Sequence, residues 1–298
     1  MRQRRPAVFP ASFQEGLPLS NNPKGTVTRR QSKPDLSVVI AFANQKGGVG
    51  KTTSCVNIAA CVGALGKKTL LIDMDPQGNT TSGVGISKKS IRFSSYDLLS
   101  GEEKDEAKIT KTRFANLDII PTTISLAGAE FELVNEKDRE YIFKNGIAGI
   151  RDEYDYVFID CPPSLGILTI NVLTAADSVI IPMQCEYYSL EGLSQLMITI
   201  KKIKQLYNPG LDLCGILITM FNGRLNLSAQ VLKEVKKYYS DKLFSVPVAR
   251  NVKLSEAPGF GEPVIYHDKY SKGAQNYMDV AQELIERTRS FGEGSGKE

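Results

Sequence analysis

Ten consecutive residues, Asn44-Gln45-Lys46-Gly47-Gly48-Val49-Gly50-Lys51-Thr52-Thr53, follow the apolar run Val38–Phe42 and bring together three glycines, two lysines and two threonines. Glycines at 47, 48 and 50 let the backbone curl so that successive N–H groups converge on an anion, and a helix starting there adds its partial positive charge. In such a loop Lys51 would neutralise the β- and γ-phosphates of a nucleoside triphosphate and the Thr52 hydroxyl would hold Mg²⁺, with Val49 and Thr53 completing the lining, while Lys46 sits too early in the loop to serve that same nucleotide in the usual way. Gly-Lys-Thr-Thr between a strand and a helix satisfies the context that a phosphate loop requires. The pattern departs from G-x-x-x-x-G-K-[ST] at its first position, where Gln45 stands in place of glycine and Lys46 adds a second cation.

Two carboxylates sit where such a loop could use them. Asp75 follows the apolar run Leu70-Leu71-Ile72, and Asp160 ends Tyr156-Val157-Phe158-Ile159. A strand-end carboxylate can order the attacking water or a Mg²⁺-bound water, the expectation for Asp75, or join the Mg²⁺ shell, the expectation for both Asp75 and Asp160. For Asp73 a supporting role and a direct one are both open.

The elements that must position these groups are legible as apolar periodicity. Short continuous runs recur at 38–42, 70–72, 117–120, 156–159, 179–181 and 216–218, as expected of strands covered on both faces. Residues 51–65 read as a helix stopped by Gly66, and residues 189–207 as a helix whose Leu193, Leu196, Ile200, Ile203 and Leu206 form one buried face. Strands alternating with helices predict an α/β fold, a doubly wound, mostly parallel sheet with helices on both faces.

Lys46-Gly47-Gly48-Val49-Gly50-Lys51-Thr52-Thr53 resembles the loop of the deviant Walker A ATPases, the group of ParA and MinD. Asp73-Met74-Asp75-Pro76-Gln77-Gly78-Asn79 and Phe158-Ile159-Asp160-Cys161-Pro162-Pro163 resemble that family's further motifs. Glu191-Gly192-Leu193 and Arg250–Pro258 resemble the chromosomal ParA (Soj) branch, and the match runs over roughly residues 37–290. The resemblance implies ATP and Mg²⁺ as ligands, hydrolysis that is weak alone, and Asn222 and Pro247 near the adenine ring. It further implies that Lys46 reaches across to a partner's nucleotide, so that ATP binding makes a homodimer. That dimer would bind double-stranded DNA without sequence preference and be released by a ParB-type centromere-binding protein, in a cytoplasmic, nucleoid-associated cycle of chromosome or plasmid segregation. The alternative is a MinD-like ATPase that positions a cellular body or division site at a membrane.

Composition narrows these readings. The chain has 298 residues, 42% hydrophobic and 23% charged, which is ordinary for a globular domain. Five cysteines without a CxxC pair argue against a disulfide scaffold, a zinc ribbon and an iron–sulfur site, and a single histidine, His267, argues against His-based triads. The net charge of +4 resides in the first 34 residues, where Arg2, Arg4, Arg5, Lys24, Arg29, Arg30 and Lys33 face only Glu15. Residues 1–36 therefore read as a disordered basic tail, residues 37–290 as the ATPase domain and residues 291–298 as a flexible end. A solvated extension, an arm for an acidic partner or DNA, and a transit peptide are all open for the first tail. Residues 279–289 carry acids on their polar face, which suits an anionic bilayer poorly. Lys201, Lys202 and Lys204 on one helix, Lys233, Lys236 and Lys237 on another, and Arg224, Arg250 and Lys253 in loops are the candidates for a phosphate-tracking DNA surface.

Overall fold

Strand β1 (Val38–Phe42) is buried along its whole length, as its uninterrupted apolar sequence requires. The computed structural model describes residues 37–101 and 108–289, so the tails read at 1–36 and 291–298 lie outside the described residues. Around β1 is a seven-stranded sheet comprising β2 (Thr69–Asp73), β3 (Thr110–Lys111), β4 (Leu117–Ile120), β5 (Tyr156–Asp160), β6 (Ser178–Gln184) and β7 (Asp212–Thr219). The strand order is β3-β4-β2-β5-β1-β6-β7, and every pairing is parallel except that of β3 with β4. The doubly wound, mostly parallel α/β fold read from the sequence is the one observed.

The period of two along the strands divides the core. Val39, Ala41, Leu70, Ile72, Val157 and Ile159 face one side. There they meet helices α3 (Ser95–Ser100), α4 (Leu126–Glu132), α5 (Ile142–Arg151), α6 (Ile167–Ala175), α7 (Ser189–Leu206) and α8 (Asn226–Tyr239). Val38, Ile40, Phe42, Leu71 and Phe158 face the other side, against α1 (Lys51–Ala64) and α11 (Lys272–Thr288). Between these lie three short helices: α2 (Asn79–Gly83), α9 (Val252–Glu256) and α10 (Val264–His267).

Helix α1 is buried nearly all round, with its polar residues gathered in the first two turns and the rest apolar or small. It ends where Gly66, at φ 90°, lets the backbone turn and the Lys67 N–H donate back to the Val62 carbonyl. Helix α11 lays Tyr277, Met278, Val280, Ala281 and Leu284 on it, and the Tyr277 hydroxyl lies 3.0 Å from Ser54 Oγ. The apolar residues of the C-terminal helix are thus engaged in the core. Among the described residues no helix is long and apolar enough to cross a membrane.

Two sequence expectations are corrected. Leu206 is 65% exposed rather than part of the buried face of α7. The inward positions run Leu193, Leu196, Ile200 and Ile203, and the next step of that rhythm falls on Tyr207, which packs on the core in its place. Lys253 lies within α9 rather than in a loop, because Asn251 caps that helix by accepting from the Lys253 N–H at 2.9 Å.

Candidate nucleotide-binding site

The strand order reverses at β1, with β5 on one side and β6 on the other, so a crevice opens at the carboxyl ends of these strands. Residues 44–53 fill it. Gly50, the residue before α1, adopts φ 79°, a left-handed conformation that glycine takes without strain, and so turns the chain from loop into helix.

Neighbouring strands hold the loop's carbonyls. Gln184 Nε2 donates to the Gly48 carbonyl at 2.7 Å, and the buried Thr219 hydroxyl donates to the Val49 carbonyl at 2.7 Å. Asn44 donates to the Pro182 carbonyl at 2.7 Å and accepts from the Lys46 N–H at 2.9 Å. With the Gly48 and Val49 carbonyls engaged on the strand side, the loop's N–H groups are left for an anion in the crevice.

Lys51 is only 7% exposed at the start of α1. Beside it Asp160, wholly buried at the end of β5, accepts from the hydroxyls of Thr52 at 2.7 Å and Thr80 at 2.8 Å, both through Oδ2. Its other oxygen, Oδ1, is buried and has no hydrogen-bond partner among the described residues. Burial pushes the Asp160 carboxyl up to about 6, against the opposing pull of Lys51 and the two hydroxyls. A buried carboxylate oxygen without a donor, next to a threonine hydroxyl, is a donor set that a hard divalent cation such as Mg²⁺ satisfies.

Asp73 ends β2 with no solvent exposure. Its Oδ1 accepts from the Asp75 N–H at 3.2 Å, and its Oδ2 accepts from the Thr81 N–H at 2.8 Å and hydroxyl at 2.6 Å. Burial first, and the charge of Asp160 second, raise its carboxyl to about 7. Asp73 thus braces the segment that carries Asp75. Asp75 is itself buried, and its Oδ1 accepts from the Gln77 N–H at 3.0 Å.

Lys46 takes a different position from Lys51. Its side chain is 40% exposed, and its ammonium pairs with Glu186 beyond β6 in the same protomer. Asn222 and Pro247 lie on adjoining segments: the Phe221 N–H donates to the Val248 carbonyl at 2.9 Å, and the Arg250 N–H donates to the Phe221 carbonyl at 3.3 Å. The same pairing brings Arg224 and Arg250 to the carboxyl edge of the sheet, where both are exposed. Lys253 pairs with Glu256 at 2.7 Å. Lys233, Lys236 and Lys237 are exposed along α8, the last with its ammonium 5.0 Å from the Tyr238 ring centre. Lys201, Lys202 and Lys204 are exposed in the second half of α7, which leads to the start of β7, away from the phosphate loop.

A cavity of about 470 Å³ adjoins the loop, lined among others by Thr52, Thr53, Asn57, Ser82, Pro258 and Glu262. All five cysteines are buried, and burial pushes every thiol up, Cys185 to about 11 and Cys214 to about 12.

Residues 37–213 match the family model of an AAA domain. Several curated relatives at 46–52% identity carry the names Soj or ParA, for chromosome partitioning or inhibition of sporulation initiation. The sporulation initiation inhibitor protein Soj of Bacillus subtilis is 52% identical over 246 residues, covering 83% of this chain and 97% of that one. The chain belongs to the Soj/ParA family. A second relative in the family, the chromosome partitioning protein ParA of Myxococcus xanthus, is 49% identical over 249 residues, covering 84% of this chain and 88% of that one. Among solved structures, a Mycobacterium smegmatis protein described as cobyrinic acid a,c-diamide synthase, with bound ADP and magnesium, superposes with a TM-score of 0.75. It is 36% identical and covers 86% of this chain and 97% of that one.

Several residues of the site escape sequence reasoning. Thr219, Gln184 and Thr80 are single polar residues at the ends of β7 and β6 and the start of α2, and their spacing relates them to no motif. Glu186 escapes as well; it stands in a run, Gln184-Cys185-Glu186-Tyr187-Tyr188, whose polar residues border an apolar strand, the one signal that could have found it.

Proposed function

We propose that this Soj/ParA family member is an ATP hydrolase that drives segregation of chromosome or plasmid DNA. The observation that carries the reading is the meeting of Lys51, Thr52 and Asp160 under a glycine loop, with one Asp160 oxygen left for a cation. The loop N–H groups and Lys51 bind the triphosphate; Thr52 and Asp160, with Asp75 close by, would hold Mg²⁺, which when bound neutralises charge on the phosphate oxygens. Asp75 orders the water that attacks the γ-phosphorus in line. The loop N–H groups, Lys51 and a partner protomer's Lys46 offset the charge that builds on the transferring group.

Lys46 supports the dimer step. Its ammonium is half exposed and held by a surface ion pair, which is worth at most about 1 kcal/mol, so a triphosphate from a second protomer competes for it easily. The joined protomers bind DNA through phosphate contacts from Arg224, Arg250, Lys253 and the lysines of α7 and α8, and a ParB-type partner stimulates hydrolysis and release. The test is retention on DNA and sedimentation with anionic liposomes, each with ATP, ADP and no nucleotide. ATP-dependent retention on DNA alone supports the reading; ATP-dependent sedimentation with lipid alone replaces it with a MinD-like one.

A further inference from the structure

The turn that carries Asp75 is gripped from outside by a residue that no motif includes. In this turn the Gly78 N–H donates to the Asp75 carbonyl at 2.9 Å, and Gly78 adopts φ 66°. The carbonyl of the same peptide unit, that of Gln77, accepts from Lys88 Nζ at 2.5 Å. The plane between residues 77 and 78 is therefore clamped at both ends. Gln77 also donates its N–H to the Asp75 carboxylate, so the orientation of this turn sets the orientation of that side chain.

Two further facts argue that the grip is built in. Lys88 belongs to a single 3-10 turn, Lys88–Ser90, that buries none of its residues, so packing does not account for the position of its side chain. An exposed lysine ordinarily keeps its rotamer freedom and its ammonium in water. Its stem also crosses over Gly78: a Cβ added there would stand 2.8 Å from Lys88 Cε and 2.9 Å from Nζ. The missing side chain at 78 is what gives the lysine its path, and a charged donor makes the stronger kind of hydrogen bond at its end.

We propose that Lys88 is a positioning residue for hydrolysis, holding the Asp75 turn in the orientation that orders the attacking water without touching the nucleotide itself. The inference rests on the reading of Asp75 given above. It is tested in the full chain with Lys88→Ala, Lys88→Arg and Asp75→Ala, measuring phosphate release at saturating ATP and Mg²⁺, ATP affinity by calorimetry, and hydrogen exchange of residues 75–80. Lys88→Ala is expected to lower the turnover rate about three- to tenfold, the worth of one hydrogen bond, with ATP affinity within about twofold of wild type. Amide exchange across the turn should quicken, and Lys88→Arg, which can still donate, should restore most of the rate. Turnover lost in Asp75→Ala but unchanged in Lys88→Ala overturns the role of Lys88 alone. A fall in ATP affinity matching the fall in rate overturns it too, because Lys88 would then be binding nucleotide. Turnover kept in Asp75→Ala removes the reading of Asp75, and this inference with it.

Discussion

Replacing Thr219 by valine separates the shape of the phosphate loop's support from its hydrogen bond. The hydroxyl donates to the Val49 carbonyl at 2.7 Å and lies 3.2 Å from the Met183 carbonyl, and the residue is 2% exposed. Valine keeps the branched shape, including the methyl that would stand 3.6 Å from a Cβ at Gly50. Only the donor is lost, leaving the Val49 carbonyl in a buried place without its partner. Such a loss costs about 1–3 kcal/mol, and the loop can recover part of it by turning the carbonyl toward the crevice, where an anion would sit. Turning the carbonyl toward the crevice weakens ATP binding, whereas a carbonyl left unpaired in the free and the bound chain alike lowers stability instead. If about 1.4 kcal/mol of the cost falls on the bound form, affinity drops about tenfold. Calorimetry with ATP and Mg²⁺ would measure this beside a denaturant titration of the free chain, and Thr219→Ser should recover most of the affinity. A Thr219→Val chain that folds normally and binds ATP as wild type does would refute the idea that β7 shapes the loop.

Lys51→Ala should abolish ATP binding in calorimetry, since among the described residues no other lysine or arginine is buried; retained micromolar affinity would contradict the assignment. Replacing Lys233, Lys236, Lys237 and Arg250 by glutamate should weaken DNA retention and flatten its dependence on salt, and unchanged retention would put the DNA surface elsewhere. Asp73 supplies a pH signature. Its folded value of about 7 lies above the ordinary 3.8, so its contribution to stability is full below about pH 4 and is lost as the pH climbs through 7. Asp73→Asn, unfolded in urea without nucleotide or metal, should gain on wild type across that window by roughly 4 kcal/mol at most. Parallel pH profiles for the two chains would show that Asp73 is not held out of its ordinary range.

The parts of this fold visible in the sequence are those where one segment carries its own signal. Strands buried on both faces must be apolar without interruption, so the stretches at 38–42, 156–159 and 179–181 stand out, and the phosphate loop is defined by ten residues in a row. Strand β3 is invisible because Thr110 and Lys111 make a two-residue edge strand without an apolar face. Leu206 misleads because three- and four-residue steps from Ile203 both look inward until the helix ends. Lys253 misleads because its helix is only five residues long and announced by a lone Asn251. What escaped at the site was tertiary: Thr219, Gln184 and Thr80 matter through carbonyls and a carboxylate far away in the chain, and nothing local to them records that distance.

The burial of every cysteine has a practical consequence. Thiols that are both enclosed and kept protonated react slowly with maleimides, so a cysteine placed on an exposed helix position would be the preferred target without removal of any native one. Fluorophores attached at single positions on α7, α8 or beside Lys46 could then report whether two protomers come together and by which faces, in a chain whose interior has been left as it folds.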